Sequence, residues 1–300
     1  MRQIAYETFD VFAEKRFGGN PLGVVADARG LSSAEMQSIA TEFNYSESTF
    51  VLLPENPSNT ARVRIFTPAS EIPFAGHPNV GTAYALGRLG AVFGKAVGDT
   101  MRFEEGAGLV EVNVQRHGGA VVGARIRAPQ ELDLGEEVSP ATVAACVCLR
   151  SDEVVTTHHQ PLVASVGLPF VFTELKSLDA LKRAAPNVDA FNEAARKHPN
   201  ERLRFSTHLY VRTGESKVRA RMFAPLSNVF EDPATGSAAA ALGGLLASLA
   251  RKDTLDIAIE QGVEMGRPSY IGVHVSTADG KRSIAVSGKC VPVMRGTLEI

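Results

Sequence analysis

The residues Pro73-Phe74-Ala75-Gly76-His77-Pro78-Asn79-Val80-Gly81-Thr82-Ala83 set one imidazole among glycines, a proline and a hydroxyl, and the chain then runs apolar through "YALGRLG". Much later, "FEDPATGSAAAALGGLLASLA" carries Asp232 before a proline and a Gly236-Ser237 pair. A third titratable group, Glu47 in "NYSESTFVLLP", stands just ahead of an apolar strand. An imidazole and two carboxylates can hold and move protons. Glycine–hydroxyl pairs suggest how a substrate would be held. If Gly81-Thr82 and Gly236-Ser237 open helices, their first backbone N–H groups lack intrahelical partners and attract a carboxylate or phosphate. Glycine lets a ligand touch the backbone, and Thr or Ser caps or donates.

Locally each residue also has a plain reading. A His-Pro in a turn is commonly structural, Glu-Asp-Pro before a helix is an ordinary acidic N-terminus, and Glu47 could be a solvated loop residue. An internal repeat shifts the balance toward function. "ARVRIFTP" (Ala61–Pro68) resembles "VRARMFAP" (Val218–Pro225), and "HPNVGTA" resembles "DPATGSA". "GGNPLGVV" loosely echoes "VGLPFVFT", and "FEEGAGLVEVNV" and "AIEQGVEMGRPSYIGVHV" each place a glycine turn before an alternating strand. On this alignment His77 and Asp232 occupy equivalent positions. A helix start lowers the pKa of a nearby imidazole and favours an ionised aspartate, so the pair suits hydrogen bonding and proton transfer. "RFSTHLYVRT", matched to the Glu47 segment, offers Thr207 and His208 but no carboxylate.

The repeat predicts two domains, residues 1–128 and 129–289, with a boundary in "RAPQELDLGEEVSP". Most other segments read as short strands. "SSAEMQSIATEF" reads as a helix capped by Ser32 with Glu35 three residues on, and "SLDALKRAAPNVDAFNEAARK" as a helix interrupted by Pro186. "AYALGRLG" and "AAAALGGLLASLA" have almost no polar face and must be enclosed. The predicted fold class is therefore α+β, with two pseudo-symmetric domains, each a curved, mostly antiparallel, barrel-like sheet around a central apolar helix. Both helix starts are expected at an interdomain cleft, with His77 and Asp232 flanking the ligand.

Composition narrows the function. Across 300 residues the net charge is −2 and no basic run stands out, so nucleic acid is not an expected partner. The N-terminal segment is broken by charges and no long apolar span follows, which predicts neither a signal peptide nor a membrane helix. Three cysteines, Cys146, Cys148 and Cys290, suit buried thiols in a reducing cytoplasm better than a disulfide framework. No Rossmann, phosphate-loop or zinc signature is present, and the adjacent His158 and His159 are expected to be exposed. No metal and no cofactor is expected.

Taken together, "DVFAEKRFGGNPLGVV", "NYSESTFV", "FTPASEIPFAGHPNVGTA", "EDPATGSAAAALG" and "EQGVEMGRPS" resemble the PhzF (phenazine biosynthesis-like) family, within the diaminopimelate-epimerase-like fold. The resemblance implies a cofactor-independent isomerase acting on a small, cyclic carboxylate such as trans-2,3-dihydro-3-hydroxyanthranilate or an analogue. It implies that Glu47 moves the proton while His77 and Asp232 orient the substrate and assist. Ser46, Gly76, Gly81, Thr82, Gly236 and Ser237 would bind it. It also implies a homodimer, and a last strand near residues 290–300 that returns to the first domain. Diaminopimelate epimerases place a cysteine before each central helix. "AGHP" and "EDPATGS" hold none, which disfavours two-thiol racemisation. The alternatives are an epimerase or racemase without that mechanism, or a noncatalytic small-molecule binding protein.

Overall fold

A computed structural model describes residues 2–300. The chain divides into two compact units, one running to Arg127 and including Ser287–Ile300, the other Ala128–Val286.

In the first unit β1 (Gln3–Val11), β2 (Asn20–Val25), α1 (Ser33–Phe43), β3 (Glu47–Leu52), β4 (Ala61–Phe66), β5 (Glu71–Ile72) and α2 (Gly76–Leu89) come first. The small hairpin β6 (Ala91–Val92) and β7 (Lys95–Ala96) leads to β8 (Thr100–Glu105), β9 (Gly108–His117) and β10 (Ala120–Arg127). The second unit holds β11 (Asp133–Glu137), α3 (Pro140–Cys146), β12 (Leu162–Ser165), β13 (Pro169–Glu174), α4 (Leu178–Arg183), α5 (Val188–Lys197), β14 (Thr207–Gly214) and β15 (Lys217–Ala224). It continues with β16 (Val229–Asp232), α6 (Gly236–Leu249), β17 (Thr254–Gln261) and β18 (Ser269–Ala278). The long β19 (Lys281–Glu299) ends the chain, and its residues from Ser287 belong to the first unit.

Eight strands of the first unit close a barrel. β1 pairs with β2, β2 with β3, β3 with β4, β4 with β8, β8 with β9, β9 with β10, β10 with β19, and β19 with β1. Two of these pairings, β2–β3 and β4–β8, are parallel. α2 fills the interior against β1, β2, β3, β9 and β10, and every residue from His77 to Gly87 is buried. A side chain at Gly81 would meet Val11 Cγ2 at 2.7 Å, so only glycine lets helix and wall approach this closely. Outside the barrel, α1 packs through Met36, Ile39 and Ala40 beside Phe50 and Phe66, and its Ser32–Glu35 capping box forms as the spacing predicts.

The second unit repeats the plan with a sheet, β11-β12-β13-β14-β15-β17-β18, wrapped on α6. A side chain at Gly243 would meet Val273 Cγ1 at 2.5 Å, so here too glycine lets helix and wall approach closely. The second predicted helix is split into α4 and α5, and Pro186 falls in the break. Both pack with α3 on a separate cluster around Phe191, Phe205 and Phe223. The architecture is thus α+β, a sheet curved around an apolar helix in each unit.

Strand registers show the repeat in detail and correct one part of it. Gly23 pairs with Ser48 as Val171 pairs with Thr207, and Ser48 with Phe66 as Thr207 with Phe223. Arg62 faces Glu104 as Arg219 faces Glu260. Arg64 forks onto Glu71 and Arg221 onto Glu231. Ile72 faces Ile65 on β4 where Asp232 faces Met222 on β15, and both central helices then begin at a glycine, Gly76 and Gly236. "EIPFAGH" therefore aligns with "EDPATGS". His77 is the counterpart of Ser237, not of Asp232, whose counterpart is Ile72. The sequence match of "HPNVGTA" to "DPATGSA" was misled by two His/Asp-Pro pairs, because the loop after the strand proline is longer in the second half and contains a short 3-10 turn, Pro225–Ser227.

Candidate active site

α1 ends at Asn44, whose left-handed backbone (φ 51°) reverses the chain and delivers Ser46 and Glu47 to the start of β3. Oε2 of Glu47 lies 3.5 Å from Nδ1 of His77, with about a fifth of the carboxylate side chain exposed and the imidazole buried. His77 reaches this place because α2 starts at Gly76, so the ring sits in the first helical turn. Burial pushes Glu47 up to about 7, opposed by a hydrogen bond from Ser46. A carboxyl near neutrality beside an imidazole can both take and return a proton. Ser46 Oγ also lies 3.0 Å from Oδ1 of the buried Asn20, so its single proton is shared between the two acceptors.

Two residues predicted to open a helix do not. Gly81 and Thr82 are in the second turn of α2, not at its start. Gly81 is packed on Leu22 and Val11, and fully buried Thr82 shares a 2.8 Å hydrogen bond with Thr49 of β3. The helix begins five residues earlier than the glycine–threonine pair suggested, because Pro78 is tolerated in a first turn, where no intrahelical N–H is required of it.

In the second unit, Gly236 and the half-buried Ser237 do open α6. Buried Asp232 precedes it, and Oδ2 accepts a 2.6 Å hydrogen bond from the Thr235 hydroxyl. Gln261 braces the same segment. Its Nε2 donates to the Asp232 carbonyl at 2.7 Å and to Thr235 Oγ1 at 3.0 Å, and its Oε1 accepts from Thr235 N at 3.4 Å. Neither Ala75 nor Thr235 caps its helix with a side chain. The strand registers put Ser206 where the first unit has Glu47, and His208 where it has Thr49. Burial pushes His208 down to about 4, with Gln261 opposing the shift, so at neutral pH the ring is uncharged.

Thr235, Gln261 and Asn20 were not singled out from sequence. Gln261 was within reach, since "EEG" and "EQG" hold matching places in the two halves. The histidine pair also divides differently than expected. His158 is exposed and pairs with Glu174 at 2.9 Å, but His159 is buried and bonds to the Tyr210 hydroxyl at 2.7 Å. All three cysteines are free, Cys146 and Cys290 buried and Cys148 exposed. Among the described residues no helix is long and apolar enough to cross a membrane.

The first unit is thus a barrel filled by a buried helix, with Glu47 and His77 side by side at the helix start. Residues 9–296 match the PhzC-PhzF family, described as phenazine biosynthesis-like protein, and the chain belongs to that family. It is 40% identical to an uncharacterized isomerase of Mesorhizobium japonicum, with 98% of each chain covered. It is 37% identical, again over 98% of each, to the trans-2,3-dihydro-3-hydroxyanthranilate isomerase of Pseudomonas chlororaphis. A crystal structure of a Bacillus anthracis PhzF-family phenazine biosynthesis protein superposes with a TM-score of 0.89 at 27% identity, covering 100% of both chains. The protein is an isomerase of this family.

Proposed function

We propose that the protein moves a proton between carbons of a small cyclic carboxylate by general acid–base catalysis, with Glu47 as the proton carrier. The carrying observation is the Glu47–His77 pair: a carboxyl raised to about 7, 3.5 Å from an imidazole in the first turn of a buried helix. The relatives' named reaction supplies the substrate class, trans-2,3-dihydro-3-hydroxyanthranilate or an analogue. A proton alpha or vinylogous to a carboxylate becomes removable when the developing negative charge meets helix-end N–H groups, and the uncapped start of α2 supplies these at Gly76 and His77. Glu47 takes the proton, His77 hydrogen-bonds the reacting centre, and the carboxylic acid of Glu47 returns the proton at another carbon. This chemistry calls on no cofactor. Asp232 and the Gly236–Ser237 turn carry the proposed orienting role of the second unit. A homodimer and a cytoplasmic location complete the proposal and rest on family resemblance. Turnover of trans-2,3-dihydro-3-hydroxyanthranilate by wild type and Glu47→Gln tests it: the variant should bind but not convert, and full conversion by a folded Glu47→Gln would refute the assignment.

A further inference from the structure

A second acidic group beside α2 has no part in the mechanism above. Glu105 ends β8, and both carboxyl oxygens are buried without a hydrogen bond. The group that bears on it is Asn79, in the second turn of α2 and fully buried. Asn79 Nδ2 donates to the Ala75 carbonyl at 3.0 Å, immediately before the helix. That carbonyl can only accept, so the amide orientation is fixed and Oδ1 points the other way, also buried and without a donor. Both carboxyl oxygens of Glu105 and Oδ1 of Asn79 are thus buried acceptors without a hydrogen-bond partner, on two side chains that bear on each other. A single proton on Glu105 supplies the missing donor and satisfies Oδ1.

The other half of the molecule carries the same position in neutral form. Because Arg62 faces Glu104 as Arg219 faces Glu260, Glu105 is the counterpart of Gln261. The following glycines match too. A side chain at Gly106 would meet Pro73 Cα at 3.0 Å, and one at Gly262 would meet Pro233 Cα at 2.9 Å. In both repeats this turn lies under the segment that leads into the central helix. Gln261 grips that segment directly, through Asp232 and Thr235. Glu105 reaches the equivalent place, Ala75, through Asn79.

We propose that Glu105 is a positioning residue that works as a neutral acid: its carboxyl proton ties it to Asn79, which holds the Ala75 carbonyl and so fixes the first turn of α2 that carries His77. The link to catalysis rests on the role proposed above for His77, but the protonation and the positioning do not.

The surroundings agree. Burial pushes Glu105 up to about 8, and Asn79 opposes the shift. The charged groups on neighbouring elements are engaged elsewhere. Glu104 accepts from the Glu55 and Asn56 N–H groups, Arg102 pairs with Glu111, Arg64 with Glu71, Arg62 with Glu55, and His77 stands by Glu47. The unfolded chain releases this proton above its ordinary value of 4.5, whereas the folded chain keeps it to about 8. Between those values the folded state binds the extra proton, so the stability attached to Glu105 falls as pH rises through that window.

Thermal unfolding of the full chain from about pH 5 to about pH 9 tests this without any substrate, comparing wild type with Glu105→Gln. The variant copies what Gln261 does in the second repeat. Its Tm should exceed that of wild type by several degrees near pH 8, and the gain should shrink to nothing toward pH 5. An infrared band of a protonated carboxyl near neutral pH should also be lost in Glu105→Gln. Positioning is read by the nitrogen resonances of His77, whose titration should move in Glu105→Ala and be restored in Glu105→Gln. Parallel Tm curves, an unchanged carboxyl band, or a His77 titration indifferent to Glu105→Ala would overturn the proposal. If Glu105→Ala does not fold, the Glu105→Gln curves and spectrum decide. None of these readouts depends on Glu47 transferring a proton, so their failure leaves that reading standing.

Discussion

Oε2 of Glu47 lies 3.5 Å from Nδ1 of His77, joining the first residue of β3 to the second residue of the buried helix α2. Burial pushes the carboxyl up to about 7, and the imidazole beside it stands in the first turn of α2. A carboxyl raised toward neutrality and the start of a buried helix therefore arise from one local arrangement.

Glu47→Gln should lower turnover on the order of a thousandfold, the usual scale for losing a positioned acid–base group. The same substitution should raise stability at neutral and alkaline pH. Folded Glu47 holds its proton to about 7 against an ordinary 4.5, so wild-type stability falls as pH rises between those values and the variant escapes that loss. Chemical unfolding at several pH values measures the gap, which should open from about pH 4.5 and level off above about 7.

With Glu47 as the base, kcat/KM should rise with pH through about 7, because only the ionised carboxylate removes a proton. Replacing Ser46 by Ala deletes the hydrogen bond that holds the value down. The midpoint in Ser46→Ala should move to higher pH in the pH–rate profile.

Thr235→Val removes the hydroxyl that donates to Asp232 and receives from Gln261. The aspartate then loses one of the bonds that orient it. We expect kcat/KM to fall roughly tenfold to a hundredfold with little change in Tm, read from steady-state kinetics alongside calorimetry.

Matched positions should respond unequally at the strand arginines. Arg221 is buried, forks onto Glu231, and also donates to the Leu181, Lys182 and Ala184 carbonyls at the end of α4. Glu231→Ala leaves that guanidinium buried without its carboxylate and should cost about 3–5 kcal/mol. Glu71 is more exposed, so Glu71→Ala should cost about 1 kcal/mol or less. Denaturant midpoints of the two variants check the contrast.

Gly81→Ala should destabilise by about 1–3 kcal/mol or more, because the added carbon meets Val11 and Leu22 inside the barrel. Denaturant unfolding measures it. A neutral result would mean that the barrel wall yields at this point.

Much of this was legible in the chain. Apolar stretches without a polar face required enclosed helices, and the arginine–phenylalanine–proline strands revealed the repeat. Glu47 and His77 could each be singled out because their types and neighbours suit proton transfer. The alignment of His77 with Asp232 failed because short Pro-containing motifs match by chance, whereas strand register depends on hydrogen bonding through whole ladders. The helix start at Gly76 was missed because Gly81-Thr82 looks like a helix opening, although its glycine serves close packing. Gln261 and Glu105 stayed silent because a buried amide or acid at a strand end has no periodic signal. The matching "EEG" and "EQG", with Glu104 facing Arg62 and Glu260 facing Arg219 one residue earlier, are what expose them.

The most direct test follows wild-type protein turning over trans-2,3-dihydro-3-hydroxyanthranilate in heavy water, with deuterium in the product located by NMR. Deuterium at the carbon that receives the proton, absent with Glu47→Gln, is the predicted result. Conversion by Glu47→Gln at the wild-type rate, with or without deuterium in the product, would contradict it.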